Sequence, residues 1–133
     1  MPLLDDAPSS EANPLDLIIV GAGFAGLYAL QRALNSNRSA VVLERGGDVG
    51  GTWYWNRYPG IACDVPAHLY TYSFAPNPDW SQTFAPGSEI QAYFERVAAQ
   101  YQVMPHIRFN AEITRCEFVD GRWQLTLADG THE

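Results

Sequence analysis

Short apolar runs and helical stripes alternate along this chain. Leu17, Ile18, Ile19 and Val20 form a continuous apolar run, the pattern of a parallel strand buried on both faces. Phe24, Leu27, Leu30, Ala33 and Leu34 then recur at helical spacing until Asn35, Ser36 and Asn37 break the pattern, which predicts a helix and its end. Ala40 to Leu43 is a second apolar run, so residues 17–43 read as strand, helix, strand. From Val65 to Trp80 the prolines preclude a long helix, and the aromatics must bury against something. Ser88-Glu89-Ile90-Gln91 reads as a capping box with Ser88 as N-cap. Ile90, Phe94, Val97, Ala98 and Tyr101 make the single apolar stripe of a helix laid on a sheet. Ile107-Arg108-Phe109 reads as a strand, and Ala111-Glu112-Ile113 as the start of another. Arg115 to Phe118, the Asp120-Gly121 turn and Trp123 to Leu127 predict a hairpin. Asp129-Gly130 announces a further turn whose strand is absent, so Glu133 reads as a truncation point.

The junction of first strand and first helix carries Gly21, Gly23 and Gly26, which satisfy G-x-G-x-x-G, with Phe24 and Ala25 between the last two. Gly21 permits the tight turn, Gly23 lets backbone approach a pyrophosphate without a Cβ in the way, and Gly26 lets the helix pack closely on the strand. Unpaired N–H groups and the helix dipole then favour an anion. Glu44, 18 residues beyond Gly26, ends the second strand. A carboxylate there can accept from both ribose hydroxyls of an adenosine, each bond contributing about 1.5 to 3 kcal/mol. A 2′-phosphate beside it would meet repulsion of about 4 kcal/mol at ~4 Å and an effective dielectric of 20. The site therefore suits FAD or NAD over NADP. Arg45 would soften that repulsion if it turned inward, and stands with Glu44 as a cofactor-side candidate. On this reading, removing the Glu44 carboxylate weakens the cofactor with little loss of fold. The expected fold class is α/β: a partial Rossmann-like domain with a parallel βαβ core and a C-terminal antiparallel hairpin or meander, truncated.

Composition narrows the function further. At 133 residues the chain is one domain or a piece of one, too short for two dinucleotide-binding domains. A formal charge of -7 and a pI near 4.7 argue against nucleic acid as partner. All eight basic side chains are Arg, which removes a Walker-type lysine and Schiff-base chemistry. No apolar run approaches the ~18 residues of a membrane span, and no basic N-terminal region leads into an apolar stretch, so a cytoplasmic protein with no membrane partner is expected. Cys63 and Cys116 stand alone, which leaves a redox pair or metal site unsupported. Residues 1–14, rich in Pro, Asp, Ser and Glu, read as a mobile leader before a domain segment spanning 15–133.

The segment from Gly46 to Asp64 is too aromatic and too rich in glycine for a routine linker. Glu-Arg followed by Gly-Gly-Thr-Trp, then Tyr-Pro-Gly and Cys-Asp, resembles the N-terminal FAD-binding segment of the class B flavoprotein monooxygenases, most closely the Baeyer-Villiger monooxygenases. The likeness runs from about Leu15 to the end of the chain, although Ala62 stands where many relatives carry Arg. It implies that Gly50, Gly51, Thr52 and Trp53 line the flavin and its ribityl-pyrophosphate arm. It places Asp64 near the isoalloxazine ring, where it would support catalysis beside an arginine from a later domain. It brings Tyr70, of the Tyr-x-Tyr-Ser-Phe stretch, to the flavin, and gives the backbone near Ile113 the adenine edge. Paired glycines, flat aromatic walls and a carboxylate beside a cation are chemically apt for these roles.

The resemblance further implies that NADPH, bound by a part of the protein outside this chain, reduces the flavin. Oxygen then adds at C4a, and the peroxyflavin attacks a ketone or a soft heteroatom of a small organic substrate. The motif Phe-x-Gly-x-x-x-His-x-x-x-Trp and a second glycine fingerprint are absent, so the chain alone is expected not to turn over. Tyr54, Tyr58, Tyr72, Phe74 and Trp80 are expected to pack in the core, and His68, which lacks an acidic or cysteine partner, to be structural. Two other readings remain open: an N- or S-oxidising monooxygenase or other FAD oxidoreductase, and a non-catalytic module binding NAD or adenosine.

Overall fold

The computed structural model describes residues 14–133, and the proposed leader lies outside them except for Pro14. The elements are β1 (Leu17–Val20), α1 (Phe24–Asn35), β2 (Ala40–Leu43), α2 (Thr52–Trp55), α3 (Gly87–Gln100), a 3-10 turn (Met104–His106), β3 (Ile107–Arg108), β4 (Ile113–Val119) and β5 (Arg122–Leu127). β1, β2 and β3 form one parallel sheet in that order, with Leu17 opposite Ala40 and Val42 opposite Ile107. β4 and β5 form the antiparallel hairpin.

β2 is the middle strand, and its period of two divides the core. Ala40 and Val42 face a cluster holding Leu27 and Leu30 of α1 and Ile90, Phe94 and Val97 of α3. Val41 and Leu43 face the other way, onto Ala111, Leu125 and Leu127. Helices thus cover one face of the sheet and the hairpin covers the other. Phe94, Leu30, Leu43 and Ile90 are fully buried, each stabilising the fold by roughly 1.5 to 3 kcal/mol.

β1 departs from its expected burial on both faces. Leu17 is 41% and Val20 67% exposed. The cover is centred on β2 and reaches only Ile18 and Ile19, one toward each cluster. Among the described residues β1 pairs with β2 alone.

The expected capping box does not form. Pro86 is the N-cap of α3, no side chain caps the helix, and Ser88 lies inside it. Gln91 is drawn inward, its amide donating to Val49 O, while Glu89 takes the N–H and hydroxyl of Ser81. Those Ser81 donors hold the Glu89 carboxyl below its usual range. A tertiary acceptor has replaced the local N–H donor of the capping box, because Gln91 faces the core.

Tyr72, Phe74 and Trp80 pack in the main cluster as expected. Tyr93 Oη donates to Ala75 O and accepts from Tyr72 N, and Tyr72 Oη donates to Phe24 O at 2.6 Å. Burial pushes the Tyr72 phenol upward, which keeps it a proton donor to the first turn of α1. Tyr54 does not join this core, its Oη accepting from Gly47 N, and neither does Tyr58, which is 62% exposed. It follows the end of α2, where the chain turns through Pro59 and Gly60 at the surface.

The strand expected after Asp129-Gly130 has begun. Leu125 N donates to Glu133 O at 2.8 Å and Glu133 N to Leu125 O at 2.9 Å, and Arg108 forms an ion pair with Glu133. Residues 131–133 therefore continue the hairpin toward a meander and tie it to β3.

Candidate functional site

The site is built where β1 passes into α1. Gly21 takes φ +92°, a conformation that L side chains rarely adopt, and its N–H bonds Leu43 O at 2.9 Å. A Cβ on Gly26 would stand 1.8 Å from Gly21 O, so this glycine lets α1 fold down onto its own turn. Gly23 is the N-cap of α1, no side-chain hydrogen bond caps the helix, and no acidic residue occupies its first turn. Helix N–H donors and the positive dipole end are thus left for an anion.

A second glycine segment faces the first. Gly50 N donates to Ala22 O at 2.9 Å. A Cβ on Gly51 would come 2.9 Å from Gly23 Cα, and one on Gly23 would come 3.6 Å from Gly51 Cα. Two backbones meet there with no side chain between them. Aromatic rings form the adjoining wall: Phe24 and Tyr70 lie 5.0 Å apart, Trp53 and Tyr70 meet edge-on at 5.9 Å, and Trp53 Nε1–H donates to Tyr70 Oη at 3.1 Å. Because Tyr70 accepts in that bond, its own O–H remains available to donate.

These elements enclose a cleft of about 310 Å³, at the small end of the ~300 to 1,000 Å³ typical of ligand pockets. Ten residues singled out from the sequence line it together: Gly21, Gly23, Phe24, Ala25, Gly26, Gly50, Gly51, Thr52, Trp53 and Tyr70. Val20 completes the lining. A larger cavity of about 600 Å³ shares only Trp53 with it. That cavity borders the uncapped start of α3, but Glu89 puts a carboxylate in that first turn and the opposed glycines are missing, so size does not mark the site.

Glu44 stands one bond from the cleft and is only 4% exposed. Its Oε2 accepts from Ala22 N and its Oε1 from Gly46 N, both at 2.7 Å. The carboxylate therefore braces the turn from within, contrary to the expectation that removing it spares the fold. Each oxygen keeps a further lone pair for another donor.

Residues 19–86, just over half of the chain, match the NAD(P)-binding Rossmann-like domain family. The chain belongs to that family. A Baeyer-Villiger monooxygenase of Streptomyces coelicolor is 47% identical over 116 residues, covering 85% of this chain and 22% of the relative. The structure of an oxidized steroid monooxygenase bound to NADP superposes with a TM-score of 0.84 at 39% identity, over 89% of this chain and 24% of that one. The OTEMO complex with FAD and NADP gives a TM-score of 0.85 at 34% identity, over 92% of this chain and 24% of that one. The resemblance to Baeyer-Villiger monooxygenases thus holds in sequence and in fold, and this Rossmann-like chain spans about a quarter of the length of the relatives it matches.

Four of the residues singled out from the sequence lie outside the cleft lining of this Rossmann-like chain. Glu44 is the brace described above. Arg45 is exposed, with its guanidinium 5.0 Å from the centre of the Trp55 ring, so it turns to the surface. Asp64 is exposed beside the bridge between Ala62 and Pro86, and among the described residues no ion pair includes it. Ile113 is half-buried at the start of β4, opposite Leu127 and next to an irregularity in the pairing. His68 is exposed, Cys63 is a buried free thiol and Cys116 an exposed one. Among the described residues no helix is long and apolar enough to cross a membrane.

Sequence reasoning missed three contributors. Val20 gave no signal beyond its place in the first apolar run. Ala22 acts through its backbone, whose N–H meets Glu44 and whose carbonyl meets Gly50. Gln91 was hidden by the capping-box pattern, which offered it a local partner that the fold does not use.

Proposed function

We propose that residues 15–133 are the N-terminal part of an FAD-binding domain, with the diphosphate of the cofactor at the start of α1. The observation that carries this reading is the convergence of ten residues from three separate stretches on one cleft beside an uncapped helix N-terminus. Gly21, Gly23, Ala25 and Gly26 would present backbone to the diphosphate, Gly51 and Thr52 would face it from the other side, and Phe24, Trp53 and Tyr70 would shield it from water. Glu44 would use its remaining lone pairs for ribose hydroxyls. Arg45 and Ile113 would serve the adenosine end, and Asp64 would support the flavin end once the rest of the protein is in place. Bound FAD supplies the electron transfer and oxygen activation.

For the whole protein the reading is an NADPH-using, flavin-dependent monooxygenase of the Baeyer-Villiger type, acting in the cytoplasm on a ketone with O2. The monooxygenases among its relatives support it. The nicotinamide site and the catalytic arginine would lie outside this chain, which alone would bind without turning over. The NAD(P)-binding description of the matched family favours a second reading, an NAD-binding module.

Gly23→Ala separates folding from binding. Its Cβ would sit 3.6 Å from Gly51 Cα, an ordinary contact, on a backbone already extended at φ -81° and ψ -166°. The variant should fold like the parent and bind FAD at least roughly tenfold more weakly, about 1.4 kcal/mol, in a flavin fluorescence titration. Parental affinity in a folded variant would remove the diphosphate from this turn.

A further inference from the structure

Gln91 is a buried amide, 8% exposed, and the cofactor reading above gives it no task. We infer that it is a positioning residue which sets one wall of the cleft by fixing the peptide between Val49 and Gly50. The inference rests on that cleft being the FAD site.

The peptide is held at both ends. Its N–H, on Gly50, donates to Ala22 O at 2.9 Å, and its C=O, on Val49, accepts from Gln91 Nε2 at 2.7 Å. Rotating the peptide plane would break both bonds. This is the place where rotation would otherwise be easiest, because Gly50 and Gly51 carry φ +119° and +55° and have no side chains to restrict them. The next residue, Gly51, is the one whose α-carbon faces Gly23 across the cleft. The orientation of a single peptide thus decides whether the second wall stands in register with the first.

The amide itself cannot turn over. Nε2 also donates to Glu95 Oε1 at 3.0 Å, so two acceptors demand the nitrogen on that side. The oxygen is left buried without a partner, packed where a Cβ on Gly50 would come within 1.7 Å. An unpartnered buried oxygen is a poor choice for filling space, which a leucine or methionine would do without that penalty. What those residues lack is the donor to Val49 O.

The test uses Gln91→Met, which keeps length and removes the donor, and Glu95→Ala, which removes the second acceptor and leaves the Val49 bond. FAD titration should show Kd raised about tenfold in Q91M and within twofold of the parent in E95A. At saturation the visible circular dichroism of the bound flavin should change in Q91M alone. Amide hydrogen exchange, read without cofactor, should show Gly50 protection lost in Q91M while Leu30 keeps its protection. Parental FAD affinity together with retained Gly50 protection in Q91M would overturn the inference. Equal loss of protection at Gly50 and Leu30 would overturn it too, by making Gln91 a general support of the fold. Failure of the parent chain to bind FAD would instead sink the functional reading, and Gly50 exchange would still judge the peptide clamp.

Discussion

Gly26→Ala should be the most damaging single methyl in the chain. The added carbon would lie 1.8 Å from Gly21 O and 3.0 Å from Gly21 C, both backbone atoms. Gly21 cannot yield, because its N–H is fixed on Leu43 O and its φ is already +92°. Relief therefore requires α1 to lift off β1, away from the cluster in which Leu27 and Leu30 are buried. Overpacking in a core costs about 1 to 3 kcal/mol, occasionally more, and a clash with backbone belongs at the upper end. Urea unfolding should show a midpoint lowered by about 3 kcal/mol divided by the unfolding slope, with the slope unchanged. A midpoint equal to the parent's would mean that helix and turn are less closely packed than described.

Glu44→Ala comes next, and its effect is double. It strips acceptors from Ala22 N and Gly46 N, both bonded at 2.7 Å around a carboxylate that is 4% exposed. Hydrogen bonds to charged groups contribute about 1.5 to 3 kcal/mol each, and buried donors left unpaired add their desolvation cost. A stability loss of about 3 kcal/mol is expected, with FAD affinity falling as well because the turn proposed for the diphosphate loses its brace. Glu44→Gln should fall between, since its amide nitrogen would face a backbone N–H. Unfolding and FAD titration on the same samples decide the matter. Weakened FAD binding with parental stability would return Glu44 to a purely cofactor-facing role.

The sequence was most legible where structure is local. The bounds of β1, α1 and β2 follow directly from runs and spacing, because strand and helix periods are written in neighbouring residues. The hairpin is similarly fixed by alternation around Asp120-Gly121, and ten of the candidate cofactor residues converge because each glycine motif sits beside its own strand or helix. Legibility failed where a distant partner decides. Gln91 left its local cap for Val49 O, 42 positions away in the chain. Glu44 turned inward to Ala22 N, 22 positions away, a bond that no periodicity announces. α2 is four residues of Thr-Trp-Tyr-Trp, too short for any helical stripe. The exposure of Leu17 and Val20 depends on what covers β1, which its own apolar letters do not encode.

We propose that this Rossmann-like turn holds FAD. Titrating the folded chain separately with FAD and with NAD, while following flavin fluorescence and thermal unfolding, tests it directly. FAD should alter its fluorescence on binding and raise the melting temperature, and NAD should leave the melting temperature where it was. Stabilisation by NAD without stabilisation by FAD would contradict it.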